Sequence, residues 1–100
     1  MSMDHIVVTR HPALVEYLVE AGYISASTEV VSHACEETVA GKHVFGALPL
    51  RLAAKAASIT EIPLDLPAHL RGVELTLEQV RQYAGKPTTY VVKEDYLCTV

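Results

Sequence analysis

The sequence predicts an α/β domain in which helices pack against a mostly parallel sheet. Short apolar, β-branched runs alternate along the chain with segments of helical periodicity, the pattern typical of this class. The chain has 100 residues, of which 50% are apolar and 20% are charged, so it can bury a core of its own. No linker, internal repeat or low-complexity tract interrupts it. We therefore predict one domain over residues 1–100.

The first elements are a strand, a helix and a second strand. Residues 6–8, Ile-Val-Val, predict the first strand. Residues 13–21 carry leucines and an alanine at helical spacing, and Gly22 is a natural stop for this helix. The second strand centres on residues 29–31, with Ile24 as an alternative start.

The middle of the chain predicts a loop, a strand and a second helix. Residues 32–42 are interpreted as a loop, and residues 43–46 as the third strand, which ends at Gly46. The second helix is predicted over residues 49–57, where several alanines favour helix.

The last third predicts a strand, a helix and a final strand. Residues 59–66 form an imperfectly alternating fourth strand, in which Pro63 indicates an edge or an irregularity. A loop over residues 67–75 precedes the third helix, which Thr76 and Gln79 begin with a capping box and Gly85 ends. The fifth strand is predicted at residues 88–92. For the tail, residues 93–100, two alternatives stay open: a flexible end, or a segment that docks on a partner.

This order, with five strands and about three helices, predicts a small Rossmann-like domain. In such sheets ligands bind outside the carboxyl ends of the strands. That edge should carry residues 9–12, 32–33, 46–49 and 67–72. Three of the four arginines, Arg10, Arg51 and Arg71, fall in these loops or in the turn that follows. We interpret them as a cluster for an anion, although a chance surface distribution is the alternative.

Two further features of these loops point to phosphate chemistry. Pro12 and Pro49 each stand where the first residue of a helix is expected, so both helices would present free N–H groups to the crevice. His11 lies next to Arg10, and an imidazole beside a guanidinium is a plausible pair for phosphodiester cleavage. His33 also follows a strand and either joins the site or is a packed loop residue.

Several functional classes are disfavoured. The net charge of −4 argues against a broad basic surface for duplex DNA. No metal-ligand spacing, dinucleotide-binding glycine pattern or phosphate-binding loop occurs, so we expect neither metal nor cofactor. The two cysteines lack zinc or disulfide spacing. No membrane span or signal peptide is recognisable, which predicts a soluble, cytoplasmic protein without a membrane partner.

The same loops carry a family resemblance. Residues 8–12, Val-Thr-Arg-His-Pro, resemble the "SRHPG" opening of small accessory proteins of type III CRISPR systems, named in the Csx series. The similarity continues in order through residues 46–53, 64–67, 70–72 and 74–76, and so covers most of residues 6–92. One departure is Ala13, where the family usually has glycine.

The resemblance implies a stand-alone ring nuclease. Such proteins look like reduced versions of the CARF sensor domains of CRISPR effectors. They act as homodimers that bind cyclic tetra-adenylate and cut it, which switches off the antiviral signal. Carried onto this sequence, the catalytic residues are Arg10 and His11. The residues assigned to ligand binding are Thr9, Pro12, His33, Gly46, Leu48, Arg51 and Arg71.

Two rival functions remain open from the sequence. The same site could sequester the cyclic nucleotide without cutting it. Alternatively, the arginines could serve RNA or a protein partner, with the chain docking on the type III effector complex.

Overall fold

The fold is built on one five-stranded sheet. A computed structural model describes residues 4–95 and gives the strand order β2-β1-β3-β4-β5. The strands are β1 (His5–Val8), β2 (Glu29–Val31), β3 (His43–Gly46), β4 (Ser58–Glu61) and β5 (Thr88–Tyr90). β1 pairs in parallel with β2 and β3, β3 pairs in parallel with β4, and β5 joins β4 antiparallel. The predicted fold class, a small α/β domain with a mostly parallel sheet, is confirmed and is compatible with a Rossmann-like fold.

Helices cover both faces of this sheet. They are α1 (Pro12–Glu20), α2 (Glu36–Val39), α3 (Leu50–Ala53) and α4 (Leu77–Tyr83). A short 3₁₀ turn, Ala68–Leu70, lies between β4 and α4. α1 and α4 pack together on one face, and α2 and α3 pack together on the other.

Alternation along the central strand divides the core in two. Val7 points to the α1 and α4 face and packs with Phe45, while Ile6 and Val8 point to the opposite face. Both Ile6 and Val7 are fully buried. A strand buried on both sides reads as a continuous apolar run, which is why Ile-Val-Val predicted it well.

A bidentate ion pair ties α1 to α4. The Arg81 guanidinium donates to the Glu20 carboxylate, with an Nε–Oε1 distance of 2.7 Å and an Nη2–Oε2 distance of 2.6 Å. This hydrogen bond lowers the pKa of Glu20. Arg81 is therefore engaged in a contact between helices.

The predicted loop over residues 32–42 was wrong in part, because it contains α2. This helix is a single turn, too short to show periodicity in the sequence. The Thr38 hydroxyl accepts from the Cys35 N–H at 3.0 Å and donates to the Cys35 carbonyl at 2.9 Å. The turn positions Val39, which is fully buried against the sheet.

The second helix is shorter than predicted. α3 ends at Ala53, and residues 54–57 form a turn. In this turn Ala57 N–H donates to the Lys42 carbonyl at 2.9 Å, and the Lys55 carbonyl accepts from Gly41 N–H at 3.2 Å. These long-range backbone bonds outweigh the helix propensity of the alanines.

The predicted fourth strand was too long by five residues at its carboxyl end. Proline has no N–H to donate to a sheet, and β4 ends at Glu61, two residues before Pro63. Residues 62–67 then form a loop next to α4, where Gly85 N–H donates to the Pro63 carbonyl at 2.7 Å.

The other boundaries lie close to their predictions. β2 does not begin at Ile24, because Ser25 and Thr28 form a turn closed by backbone and hydroxyl hydrogen bonds. The capping box of α4 is confirmed: Gln79 N–H donates to Thr76 Oγ1 at 3.1 Å, and Thr76 N–H donates to Gln79 Oε1 at 3.0 Å.

β5 ends at Tyr90, two residues earlier than predicted. Of the predicted tail, residues 96–100 lie outside the described residues. In the described part of the chain, no helix has the length and apolar character needed to cross a membrane.

Candidate functional site

The candidate site lies where the strand order changes direction. From β1 the chain passes to β2 on one side, then returns to β3 on the other side of β1. At such a point the connections leave in opposite directions, and a crevice opens beyond the carboxyl ends of the two central strands. Here those ends are Val8 and Gly46, which are paired in register.

The loop after β1 is held in a defined conformation. Thr9 N–H donates to the Val31 carbonyl at 3.0 Å, which extends the pairing with β2. The Thr9 hydroxyl accepts from His11 N–H at 3.1 Å. Pro12 then opens α1 at its first position, as predicted. Arg10 and His11 thus stand between a strand end and the amino end of a helix.

Arg10 and His33 are brought together from two different loops. Their side chains approach to 3.5 Å between Nη2 and Nδ1 and are exposed. Because a guanidinium only donates, the Nδ1 atom of His33 accepts in this contact, which leaves the ring proton of a neutral His33 on Nε2. No described carboxylate pairs with Arg10, so most of its donors are open to a ligand.

The imidazole of His11 is open to a ligand because the structural contacts of this residue are made by its backbone. It is the residue before α1, but its imidazole makes no capping hydrogen bond. Its backbone carries the structural role, since His11 N–H donates to Thr9 and its carbonyl accepts from Leu14 N–H at 3.0 Å. The ring is therefore free to contact a ligand.

Two open pockets flank this loop. The first, about 390 Å³, lies over the crevice and includes Thr9, Arg10, His11 and Gly46 in its lining. The second, about 640 Å³, lies on the outer side of the same loop, where Pro12 contributes. Arg10 and His11 line both, so they can reach a ligand that spans the loop. We call the first pocket the Arg10 pocket.

Gly46 makes the close approach at the crevice possible. Its backbone has a φ of +134°, which L side chains rarely adopt. A Cβ atom built there would lie 2.1 Å from the Val8 carbonyl oxygen. Only glycine permits this approach, and the predicted site residue therefore has a structural reason to be present.

Three other predicted site residues, Leu48, Arg51 and Arg71, do not line the Arg10 pocket. Leu48 lines a third pocket, between α3 and β5. Arg51 and Arg71 are exposed and line none of these three pockets. Arg71 follows the 3₁₀ turn rather than a strand, because β4 ends earlier than predicted. Of the three arginines predicted to bind an anion, Arg10 is the one that lines these pockets.

The prediction that Pro49 occupies the first position of a helix, as Pro12 does, was wrong. Pro49 precedes α3 as its cap residue instead of occupying its first position. α3 has only four residues, so it adds little dipole at the crevice. Of the two helix starts, α1 alone offers an extended amino end.

Glu61 is a site residue that the sequence reasoning missed. It is the last residue of β4 and lines both the Arg10 pocket and the third pocket. Pro63 was the signal that could have found it: a strand that ends before this proline places Glu61 at the carboxyl edge.

A second polar cluster lies at the opposite end of the sheet. His43 contacts the Ser58 hydroxyl through Nδ1 and the Thr60 hydroxyl through Nε2, the latter at 2.7 Å. Thr60 in turn contacts the Thr89 hydroxyl at 2.7 Å. Partial burial lowers the pKa of His43, and neighbouring His5 lowers it further. Both ring nitrogens are satisfied internally, which indicates a structural role for His43.

Metal binding receives no support from the described residues. Within residues 4–95, no three His, Cys, Asp or Glu side chains form a group that could hold a metal ion.

Comparison with known families identifies a family whose sequence model matches the chain. The sequence model of the family described as "Putative CRISPR-associated protein (Cas_VVA1548)" matches residues 6–93. The chain belongs to this family. The match spans the Arg10 pocket and every element from β1 to β5, so the CRISPR part of the resemblance is confirmed. No curated protein and no solved structure shows significant similarity to the chain.

Proposed function

We propose that this CRISPR-associated protein is a ring nuclease that binds cyclic tetra-adenylate and cuts it without a metal ion or cofactor. The observation that carries the proposal is that Arg10 and His11 both line the pocket at the crevice between β1 and β3, with His33 in contact with Arg10. A cation and two imidazoles at that place suit a phosphodiester, and family membership supplies the CRISPR context.

Arg10 is the proposed phosphate-binding residue. A guanidinium offers five N–H donors in a fixed plane and can bond two phosphoryl oxygens at once. The amino end of α1, nine residues long, adds N–H groups and a positive dipole end beside it. These donors would stabilise the charge that develops on the phosphoryl oxygens in the transition state.

The ligand supplies its own nucleophile. A ribose 2′-OH attacks the adjacent phosphorus, and the bond from that phosphorus to the 5′ oxygen of the next nucleoside breaks. His11, whose ring makes no capping bond, takes the proton from the 2′-OH. The departing 5′ oxygen takes up a proton from solvent, and His11 later releases the proton that it took. His33 orients the Arg10 guanidinium through the contact at its Nδ1 atom. Cutting twice yields two linear di-adenylates, each with a 2′,3′-cyclic phosphate.

We propose that two copies of the chain act together as a homodimer. A ring of four nucleotides has two-fold symmetry, and a two-fold dimer would present two equivalent Arg10 pockets to it. Light scattering with and without ligand tests this: a mass of twice 10.9 kDa is expected, and a clean monomer in both conditions contradicts it.

The decisive experiment is product analysis. Purified protein is incubated with labelled cyclic tetra-adenylate in excess EDTA, and the mixture is separated by chromatography. The expected product is di-adenylate with a 2′,3′-cyclic phosphate. Ligand that is bound but intact would instead indicate sequestration. Absence of binding, with co-purification of the effector complex, would indicate an interaction protein. Activity that EDTA abolishes would contradict the metal-independent mechanism.

A further inference from the structure

An apolar pocket lies directly beside the Arg10 pocket. It has a volume of about 320 Å³, within the size range of small-molecule sites, and is lined by Leu48, Leu50, Glu61, Tyr90 and Val91 among others. Three of these apolar side chains are unusually accessible: Leu50 is 75% exposed, Val91 67% and Tyr90 48%. We call this the Tyr90 pocket. Its exposed apolar surface indicates that something covers it in the functional state.

The two pockets are continuous. Gly46, Ala47 and Glu61 line both of them. Since Gly46 has no side chain and Ala47 has only a methyl group, no bulky group stands between the pockets at this point. A ligand with a phosphate on Arg10 can therefore extend across residues 46–47 into the Tyr90 pocket.

Glu61 determines what kind of group fits. Its carboxylate makes no ion pair or side-chain hydrogen bond with any residue in the described range 4–95. An ionised carboxylate only accepts hydrogen bonds, and covering it with an apolar surface would leave it desolvated and unpaired. The occupant must therefore combine a flat apolar body with an N–H donor at its rim.

We propose that the Tyr90 pocket holds an adenine base of the ligand whose phosphate lies on Arg10. The base packs on the Tyr90 ring and the neighbouring aliphatic side chains, and its exocyclic amine donates to the Glu61 carboxylate. Aromatic side chains are general stacking platforms for bases, and carboxylates accept from exocyclic amines. The identification of the ligand as an oligoadenylate rests on the proposed function, whereas the base pocket can be tested separately.

The first test deletes the amine from the ligand and the carboxylate from the protein. Calorimetry measures the affinity for two rings with 2′-O-methyl riboses, which cannot be cut: one built from adenosine and one from purine riboside, which lacks only the 6-amino group. We expect the native protein to prefer the adenosine ring by about 10- to 100-fold, the range for a charged hydrogen bond. Glu61→Ala should bind both rings alike.

Glu74→Ala is the matched control, because it removes an exposed carboxylate that lines none of the three pockets. It should retain the native preference. Equal affinity of the native protein for both rings, or the same preference in Glu61→Ala as in Glu74→Ala, would overturn the assignment of Glu61.

The second test concerns Tyr90. Tyr90→Phe keeps the ring and should keep the affinity, whereas Tyr90→Ala should weaken binding of the adenosine ring by about 5- to 100-fold. Light scattering on the same variants, and on Leu50→Ser, tests the competing occupant. If these substitutions turn a dimer into a monomer, the surface is covered by a second copy of the chain and the proposal is wrong.

Failure of the base pocket and failure of the proposed function give different results. If the native protein binds neither ring, the proposed function is wrong. NMR titration with AMP and with purine riboside monophosphate then tests the pocket alone. Shifts at Tyr90 and Glu61 that are stronger with AMP support it, and equal or absent shifts overturn it. If the protein binds both rings equally, the proposed function stands and only the base pocket falls.

Discussion

The two ends of the sheet use histidine in opposite ways. At the amino end, His43 has a hydroxyl group on each ring nitrogen, and burial lowers its pKa. At the carboxyl edge, His11 makes no capping bond and His33 has a single long contact with Arg10. A histidine with both nitrogens satisfied stabilises a fold, whereas one with an open nitrogen beside a cation can act on a ligand. Internal partners therefore distinguish the two environments better than burial does, since His11 and His43 are both partly buried.

The largest effect is expected at Gly46, on which the crevice at the carboxyl edge depends. Gly46→Ala forces a Cβ atom against the Val8 carbonyl and strains a positive-φ backbone, so we expect a loss of about 3 kcal/mol or more in the free energy of unfolding. Gly22→Ala is the control: its φ is +82°, but nothing lies within 4 Å of the added methyl group, so about 1–2 kcal/mol is expected. Urea denaturation measures both, and equal losses would show that the close approach is unimportant.

The next largest effect is expected on the rate of the proposed cleavage at the carboxyl edge of the sheet. Arg10→Ala should reduce single-turnover cleavage of cyclic tetra-adenylate by about 30- to 1,000-fold, since it removes about 2–4 kcal/mol of transition-state stabilisation. Its stability should change by less than about 0.5 kcal/mol, because Arg10 is exposed. Arg51→Ala removes an arginine that lines no pocket described here and should cut at nearly the native rate. A comparable loss in both variants would move the active site.

Substituting one histidine at each end of the sheet tests the difference between the two ends. His43→Ala should lower the free energy of unfolding by about 1–2 kcal/mol, because it removes two hydrogen bonds in a partly buried cluster. It should leave the cleavage rate unchanged. His33→Ala should do the reverse, with slower cleavage and stability within about 0.5 kcal/mol of the native value. Thermal unfolding and the single-turnover assay are measured on the same samples, and a loss of activity in His43→Ala would break the division between the two ends.

The smallest effect is a pH dependence of stability. The folded state lowers the pKa of His43 from its ordinary value of 6.5, so below that pH the unfolded chain binds more protons than the folded one. Stability from this group is therefore full above pH 6.5 and is lost as pH falls towards the lower, folded-state pKa. The measurement is the free energy of unfolding of the native protein minus that of His43→Gln, determined at several pH values. This difference isolates the contribution of His43. A difference that does not vary with pH would contradict the lowered pKa.

Local signals in the sequence predicted much of the fold. The β-branched run of β1 and the capping box of α4 are set by neighbours within a few residues, and both were found from the chain alone. The crevice loop was also predictable, because Arg10, His11 and Pro12 follow a buried strand directly. Residues that directly follow a single strand can therefore be assigned to the edge of the sheet from the sequence.

Contacts between distant segments decided the rest. The backbone bonds from Gly41 and Ala57 shorten α3, and no pattern within residues 49–57 encodes them. Glu61 lines the Arg10 pocket as the last residue of β4, which stops two residues before Pro63, whereas Arg71 lines none of the three pockets. The sequence by itself determined the polar residues of one loop, Thr9, Arg10 and His11, and their place between a strand and a helix. Only the tertiary structure decided which residues from other loops meet it, because strand order and strand ends are fixed by packing between elements far apart in the chain.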